Sequence, residues 1–212
     1  MRVAIVGGPG VGKSTLVRQL GDLYHHGSYG EGEKGVWDPR VLEDIEAGLN
    51  PVGVTAYFGE LYDANYRDAD QHDQPDRVIF IEGAQITLDA HIVEYPPEYH
   101  PALKEVVGIG DRWNPDRVVV LTSSSDTIEK HIKQRHRPHE QVENMVRRFR
   151  LIDDEFRRLA PLYPNSVVID RDGMEFHERR GLEAIIEAAS LPRFQEIPYE
   201  QIETYVNRSL PD

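Results

Sequence analysis

The feature that most constrains this chain is a glycine string set between a strand pattern and a helix pattern. Arg2-Val3-Ala4-Ile5-Val6 is apolar and rich in β-branched residues, and it runs into Gly7-Gly8-Pro9-Gly10-Val11-Gly12-Lys13-Ser14. From Ser14 to Leu23 the residues Leu16, Val17 and Leu20 recur at helical spacing. The glycines let the main chain curl so that successive N–H groups converge on an anion. The helix behind them adds the partial positive charge of its first turn. The string fits G-x-x-x-x-G-K-S in the strand–loop–helix context that motif requires, so it reads as a P-loop for a nucleoside triphosphate. Gly8, Pro9, Gly10, Val11, Gly12, Lys13, Ser14 and Thr15 are the expected nucleotide-binding residues. Lys13 is expected to reach the β- and γ-phosphates of ATP, and Ser14 to bind Mg²⁺ through its hydroxyl.

The rest of the pattern extends that beginning. Residues 78–81, 118–121 and 167–169 are short unbroken apolar runs, as in buried parallel strands. Helical spacing lies between them over about 41–47, 54–69, 85–107, 125–134 and 139–160, with a further helix expected over about 198–209. Residues 25–40 form a loop rich in glycine, histidine and aromatics, with room for a short strand. Alternation of strands and helices predicts an α/β, three-layer P-loop fold with a central parallel sheet flanked by helices. The 212 residues suit one domain over 1–212, ending in a helical extension over about 192–212.

Composition narrows the partners. No apolar run approaches the roughly 18 residues of a membrane helix, and the first strand leads straight into the P-loop as no signal peptide does. The chain has no cysteine, which removes disulfides and thiolate metal sites and suits a cytoplasmic setting. A net charge of −13 disfavours non-specific contact with nucleic acid, although a local basic patch is compatible with it. A homodimer is also compatible with the sequence. The histidines follow no zinc spacing.

Three further groups of residues carry chemistry. Glu82 ends an apolar strand, where an acid sits beside the phosphate site and suits Mg²⁺. Lys130, Lys133, Arg135 and Arg137 are the densest positive cluster in an acidic chain. Its arginines are expected to close over the transferring phosphoryl group. Glu31 and Glu33 precede Trp37 in the loop, a carboxylate for general base work and an indole to wall an acceptor pocket. Tyr57, Phe58 and Tyr62 fall close together on the 54–69 helix and are expected to complete that pocket.

Over roughly residues 1–175 the order of these features resembles the P-loop kinases that phosphorylate deoxynucleosides and thymidylate. The resemblance rests on the P-loop, the acidic loop ending in Trp37, the strand ending at Glu82, the stretch 114–121 and the basic segment 130–137. It implies that Glu33 or Glu31 is the base for an acceptor hydroxyl, that residues about 133–140 form a LID, and that Arg171 and Asp172 lie at the donor adenine. In that family an arginine adjoins the acid at the position of Glu82, whereas here Gly83 follows. The expected activity is transfer from ATP to a nucleoside or nucleoside monophosphate. A hydroxyl on nucleic acid is the alternative acceptor, and a regulatory ATPase is the alternative from another class.

Overall fold

The computed structural model describes residues 1–24, 27–30, 38–73, 76–108, 113–135, 142–163 and 165–192. The expected C-terminal helix, the 31–37 loop and the greater part of the expected LID lie outside the described residues.

The first strand, β1, spans Arg2–Gly7 and is followed by α1, Lys13–Tyr24. Then come β2 (Ser28–Tyr29), α2 (Pro39–Ala47), α3 (Pro51–His72) and β3 (Ile79–Glu82). The second half holds α4 (Gln85–His91), α5 (His100–Val107), β4 (Arg117–Thr122), α6 (Ser125–Arg135), α7 (Val142–Leu159), β5 (Ser166–Asp170) and α8 (Arg179–Ala188). Among the described residues all strand pairings are parallel, in the order β2-β3-β1-β4-β5. The expected α/β sandwich is the observed one.

The helix boundaries follow local chemistry. The α3 helix opens with Pro51 in its first turn, behind Asn50, whose side chain accepts from the Gly53 N–H. The α2 helix is capped in the same way by Asp38 and ends at Gly48 in a left-handed conformation. The continuous helix expected over 85–107 is broken. After α4 come two 3₁₀ turns, 92–94 and 97–99, before α5 begins. Pro96 and Pro97 supply no N–H to a helical ladder, and Pro101 fits the first turn of the new helix. The α8 helix was not anticipated from the sequence.

Because β1, β3 and β4 are buried on both faces, alternate residues feed two layers. Val3, Ile5, Phe80, Val119, Leu121 and Ile169 pack with α1, α6 and α8. Ala4, Val6, Val118 and Val120 face the other way, toward α4 and α7. The α7 helix serves both layers, with Val146 and Phe149 in the first and Ile152 and Phe156 in the second. Tyr62, Tyr66 and Trp113 join Ile79, Ile81 and Leu103 in a third cluster beneath α3 and α5. The strand order reverses at β1, which places a crevice at the carboxyl ends of β1, β3 and β4. The register brings Ile5 beside Glu82 and Gly7 beside Leu121, so the P-loop and Glu82 share that edge.

Candidate active site

The P-loop leaves β1 at Gly7 and enters α1 at Lys13. Gly12 sits at φ 91°, a conformation that side chains with a Cβ rarely adopt. A Cβ there would also lie 2.8 Å from the Arg171 guanidinium. The loop is packed from below by later parts of the chain. The Phe149 ring of α7 lies under Gly8, and Ile128 and Ile132 of α6 lie against Gly10.

Lys13, Ser14 and Glu82 form one constellation. The Ser14 hydroxyl donates to Glu82 Oε1 at 3.0 Å. Lys13 Nζ stands 3.9 Å from the same oxygen and donates to the Gly8 carbonyl at 3.3 Å. Glu82 is 2% exposed, a carboxylate buried beside a lysine and a hydroxyl. This all-oxygen pairing of a hydroxyl and a carboxylate fits Mg²⁺, which takes one or two carboxylates together with phosphates and waters. Ser14 and Glu82 are the residues that would hold it.

Gly83 explains the departure from the Glu-Arg pattern. Its φ is 98°, and a Cβ on it would fall 2.3 Å from the Tyr62 ring. The Tyr66 hydroxyl donates to the Gly83 carbonyl at 3.2 Å. Two tyrosines of α3 therefore close over this glycine and leave no room for an arginine. The same packing corrects the expectation for Tyr62. Its ring is 1% exposed, edge-on to Trp113 at 5.5 Å, so it is a core wall rather than a pocket lining. Tyr57 and Phe58 keep exposed surface and meet edge to face at 5.6 Å. Trp113, to which sequence reading assigned no role, stacks on Tyr66 and donates to Asp63 at 2.8 Å. Near this wall lie two buried amides with unpaired atoms. Among the described residues, neither polar atom of the Asn65 side chain has a partner and Gln85 Oε1 also lacks one, although Gln85 Nε2 donates to the Val107 carbonyl at 2.9 Å.

Arg171, expected at the donor base, is bonded to the phosphate loop itself. It is 5% exposed, and its Nη1 donates to the Val11 carbonyl at 2.8 Å. Nη2 donates to the Met174 carbonyl at 2.7 Å, and the guanidinium lies 4.4 Å over the Phe176 ring. Burial lowers its pKa. Asp172 fastens the next segment. It accepts from the Ser123 hydroxyl at 2.5 Å and from the Ser124 N–H at 3.0 Å. Burial opposes its charge, but these bonds from Ser123 and Ser124 bring its carboxyl down to about 2.

His131 is a further site residue that sequence reading missed. Its Nδ1 meets the Gly10 carbonyl at 3.2 Å. Burial and then the Arg171 charge lower its pKa. The available signal was its position between Ile128 and Ile132, on the face of α6 that touches the loop. Of the basic cluster, Lys133 is tied to Glu129 on the surface at 2.5 Å and Lys130 is exposed. Arg135 ends α6, and its side chain lies outside the described atoms, as does Arg137. Glu31, Glu33 and Trp37 fall outside the described residues.

This sheet order and P-loop placement define a class: the chain has the fold of the P-loop deoxynucleoside and thymidylate kinases. Among solved structures it is similar to a deoxyadenosine kinase from M. mycoides, with products dCMP and a flexible dCDP bound. Identity there is 18% over 88% of this chain and 97% of that one, with a TM-score of 0.64. A thymidylate kinase from Candida albicans aligns with all of this chain and 95% of its own, at 12% identity and a TM-score of 0.65. The NadR protein in complex with NR matches 93% of this chain and 54% of its own, at 16% identity and a TM-score of 0.53. No protein-family model and no curated protein matches the sequence. No helix among the described residues is long and apolar enough to cross a membrane.

Proposed function

We propose that this chain is an ATP-dependent phosphotransferase whose acceptor is a nucleoside or nucleoside monophosphate. The observation that carries the reading is the Lys13–Ser14–Glu82 constellation at the carboxyl edge of β1 and β3. A P-loop lysine and a buried carboxylate bonded to the P-loop serine are the parts that phosphoryl transfer requires. The structural neighbours named above support the acceptor class, as do the exposed surfaces of Tyr57 and Phe58 on the side of α3 and β3.

In this reading Lys13 neutralises charge on the β- and γ-phosphates, and the loop N–H groups hold their oxygens. Mg²⁺, when bound at Ser14 and Glu82, offsets the remaining phosphate charge. A phosphate oxygen of a monophosphate acceptor, or the hydroxyl oxygen of a nucleoside acceptor, forms a bond to the γ-phosphorus as the bond from that phosphorus to the β–γ bridging oxygen breaks. With a nucleoside acceptor the hydroxyl proton passes to a carboxylate, Glu33 or Glu31, with Trp37 walling the acceptor and Arg135 and Arg137 meeting the charge on the moving group.

The test is transfer of labelled γ-phosphate from ATP to a panel of nucleosides and nucleoside monophosphates, with and without Mg²⁺. A Mg²⁺-dependent product with one acceptor class is expected, and Glu33→Gln against Glu31→Gln then identifies the base. No product across the panel, with ATP hydrolysed at the same rate in its absence, defeats the reading.

A further inference from the structure

We infer that Arg171 and His131 are positioning residues of the phosphate loop: each holds one loop carbonyl on the protein side and so turns the N–H of the same peptide toward the triphosphate. The inference rests on the reading of this loop as a triphosphate site.

The peptide unit supplies the argument. It is planar and trans, so its C=O and N–H point in opposite directions, and fixing one fixes the other. Arg171 Nη1 holds the Val11 carbonyl at 2.8 Å, and the N–H of that peptide belongs to Gly12. His131 Nδ1 holds the Gly10 carbonyl at 3.2 Å, and the N–H of that peptide belongs to Val11. A ring nitrogen that bonds a carbonyl carries the proton, which fixes the His131 tautomer. Both peptides adjoin glycines, Gly10 at φ 86° and Gly12 at φ 91°. A glycine offers little steric resistance to rotation of its peptides. The loop's own sequence therefore permits the nucleotide-binding shape without enforcing it, and the restraint has to come from outside.

The outside restraint is itself firmly held. Arg171 is clamped between the Val11 and Met174 carbonyls and rests on Phe176. The next residue, Asp172, bonds Ser123 and Ser124 at the start of α6, the helix that carries His131. Both anchors thus stand on one foundation, the junction of β5 with α6.

A base-packing role for Arg171 and a loop-bracing role give opposite results with a ligand that has phosphates and no base. Calorimetric titration of Mg-ATP and of Mg-tripolyphosphate into wild type, Arg171→Met, Arg171→Lys, His131→Phe and His131→Gln separates them. Arg171→Met is expected to weaken both ligands by the same factor, roughly tenfold or more for a lost charged hydrogen bond. Arg171→Lys recovers part of that loss. His131→Phe produces a smaller equal loss, and His131→Gln, which restores a donor, reduces it. Should Arg171→Met fail to fold, Phe176→Leu keeps the arginine, removes the ring beneath it, and is held to the same equal-loss criterion. Loss confined to ATP, or unchanged affinity for both ligands, overturns the inference. A folded wild type that binds neither ligand overturns the triphosphate reading itself.

Discussion

The two sides of the crevice are built by different means. On the P-loop side, Gly8, Gly10 and Gly12 meet Phe149 of α7, Ile128 and Ile132 of α6, and Arg171 with Phe176 after β5. In the proposed reading the binding groups there are main-chain N–H groups, with the later chain as their support. On the side of β3 and α3 the main chain is instead covered. Tyr62 and Tyr66 close over Gly83, and Trp113 backs both rings. In the proposed reading, ligand selection on that side is left to individual side chains. A phosphate site can thus be specified by a short string, whereas an acceptor site requires residues from several elements to meet.

Breaking the P-loop side has the largest expected effect. Lys13→Met should lower phosphoryl transfer by about 10²–10³-fold, the usual cost of deleting one charge-stabilising donor, while the thermal unfolding midpoint stays near that of wild type. Breaking the covered side should act on stability first. Gly83→Ala adds a Cβ at positive φ against the Tyr62 ring, with an expected loss of about 3 kcal/mol. Thermal unfolding should register that as a drop of roughly 6–12 °C.

A third change probes the link between the two sides. Glu94, just after α4, is bonded by Arg148, the neighbour of Phe149 on α7, and by His91 at 2.5 Å. Burial pushes its carboxyl up, but His91 and Arg148 outweigh this and bring it from 4.5 to about 2. A depressed folded-state pKa contributes stability above the unfolded value, and that stability disappears as pH falls from about 4.5 toward 2. Glu94→Gln should cost about 3 kcal/mol near neutrality and flatten the acid limb of the stability profile. Chemical unfolding at a series of pH values measures both. The smallest effect is expected at Lys133, whose partner Glu129 is a surface group one helical turn away. Lys133→Ala should leave the thermal unfolding midpoint near that of wild type and leave transfer intact. A large loss of transfer would place Lys133 at the phosphates instead.

The same contrast sets what was legible in the sequence. The P-loop, the short apolar strands and Glu82 are local patterns, and the structure brings the P-loop and Glu82 together at the carboxyl edge of β1 and β3. The break at Pro96 and Pro97 was also written locally, but the apolar spacing over 85–107 masked it. The placement of Tyr62 was not readable, because helical spacing puts it beside Tyr57 and Phe58 and only the fold sets it on Gly83. Arg171 followed the family pattern in sequence, while its partners Val11 and Met174 are defined by the turn after β5. His131 carries no motif of its own, and its contact with Gly10 comes from the angle at which α6 meets the loop.

Gly83 and Tyr62 also limit how this chain can diverge. Any side chain at position 83, an arginine included, first requires a smaller residue at position 62. That replacement alone opens a hole beside Trp113. Either order of change passes through a damaged intermediate, a case of reciprocal epistasis. Selections that vary one residue at a time will find position 83 closed, whereas paired libraries at 62 and 83 can open it.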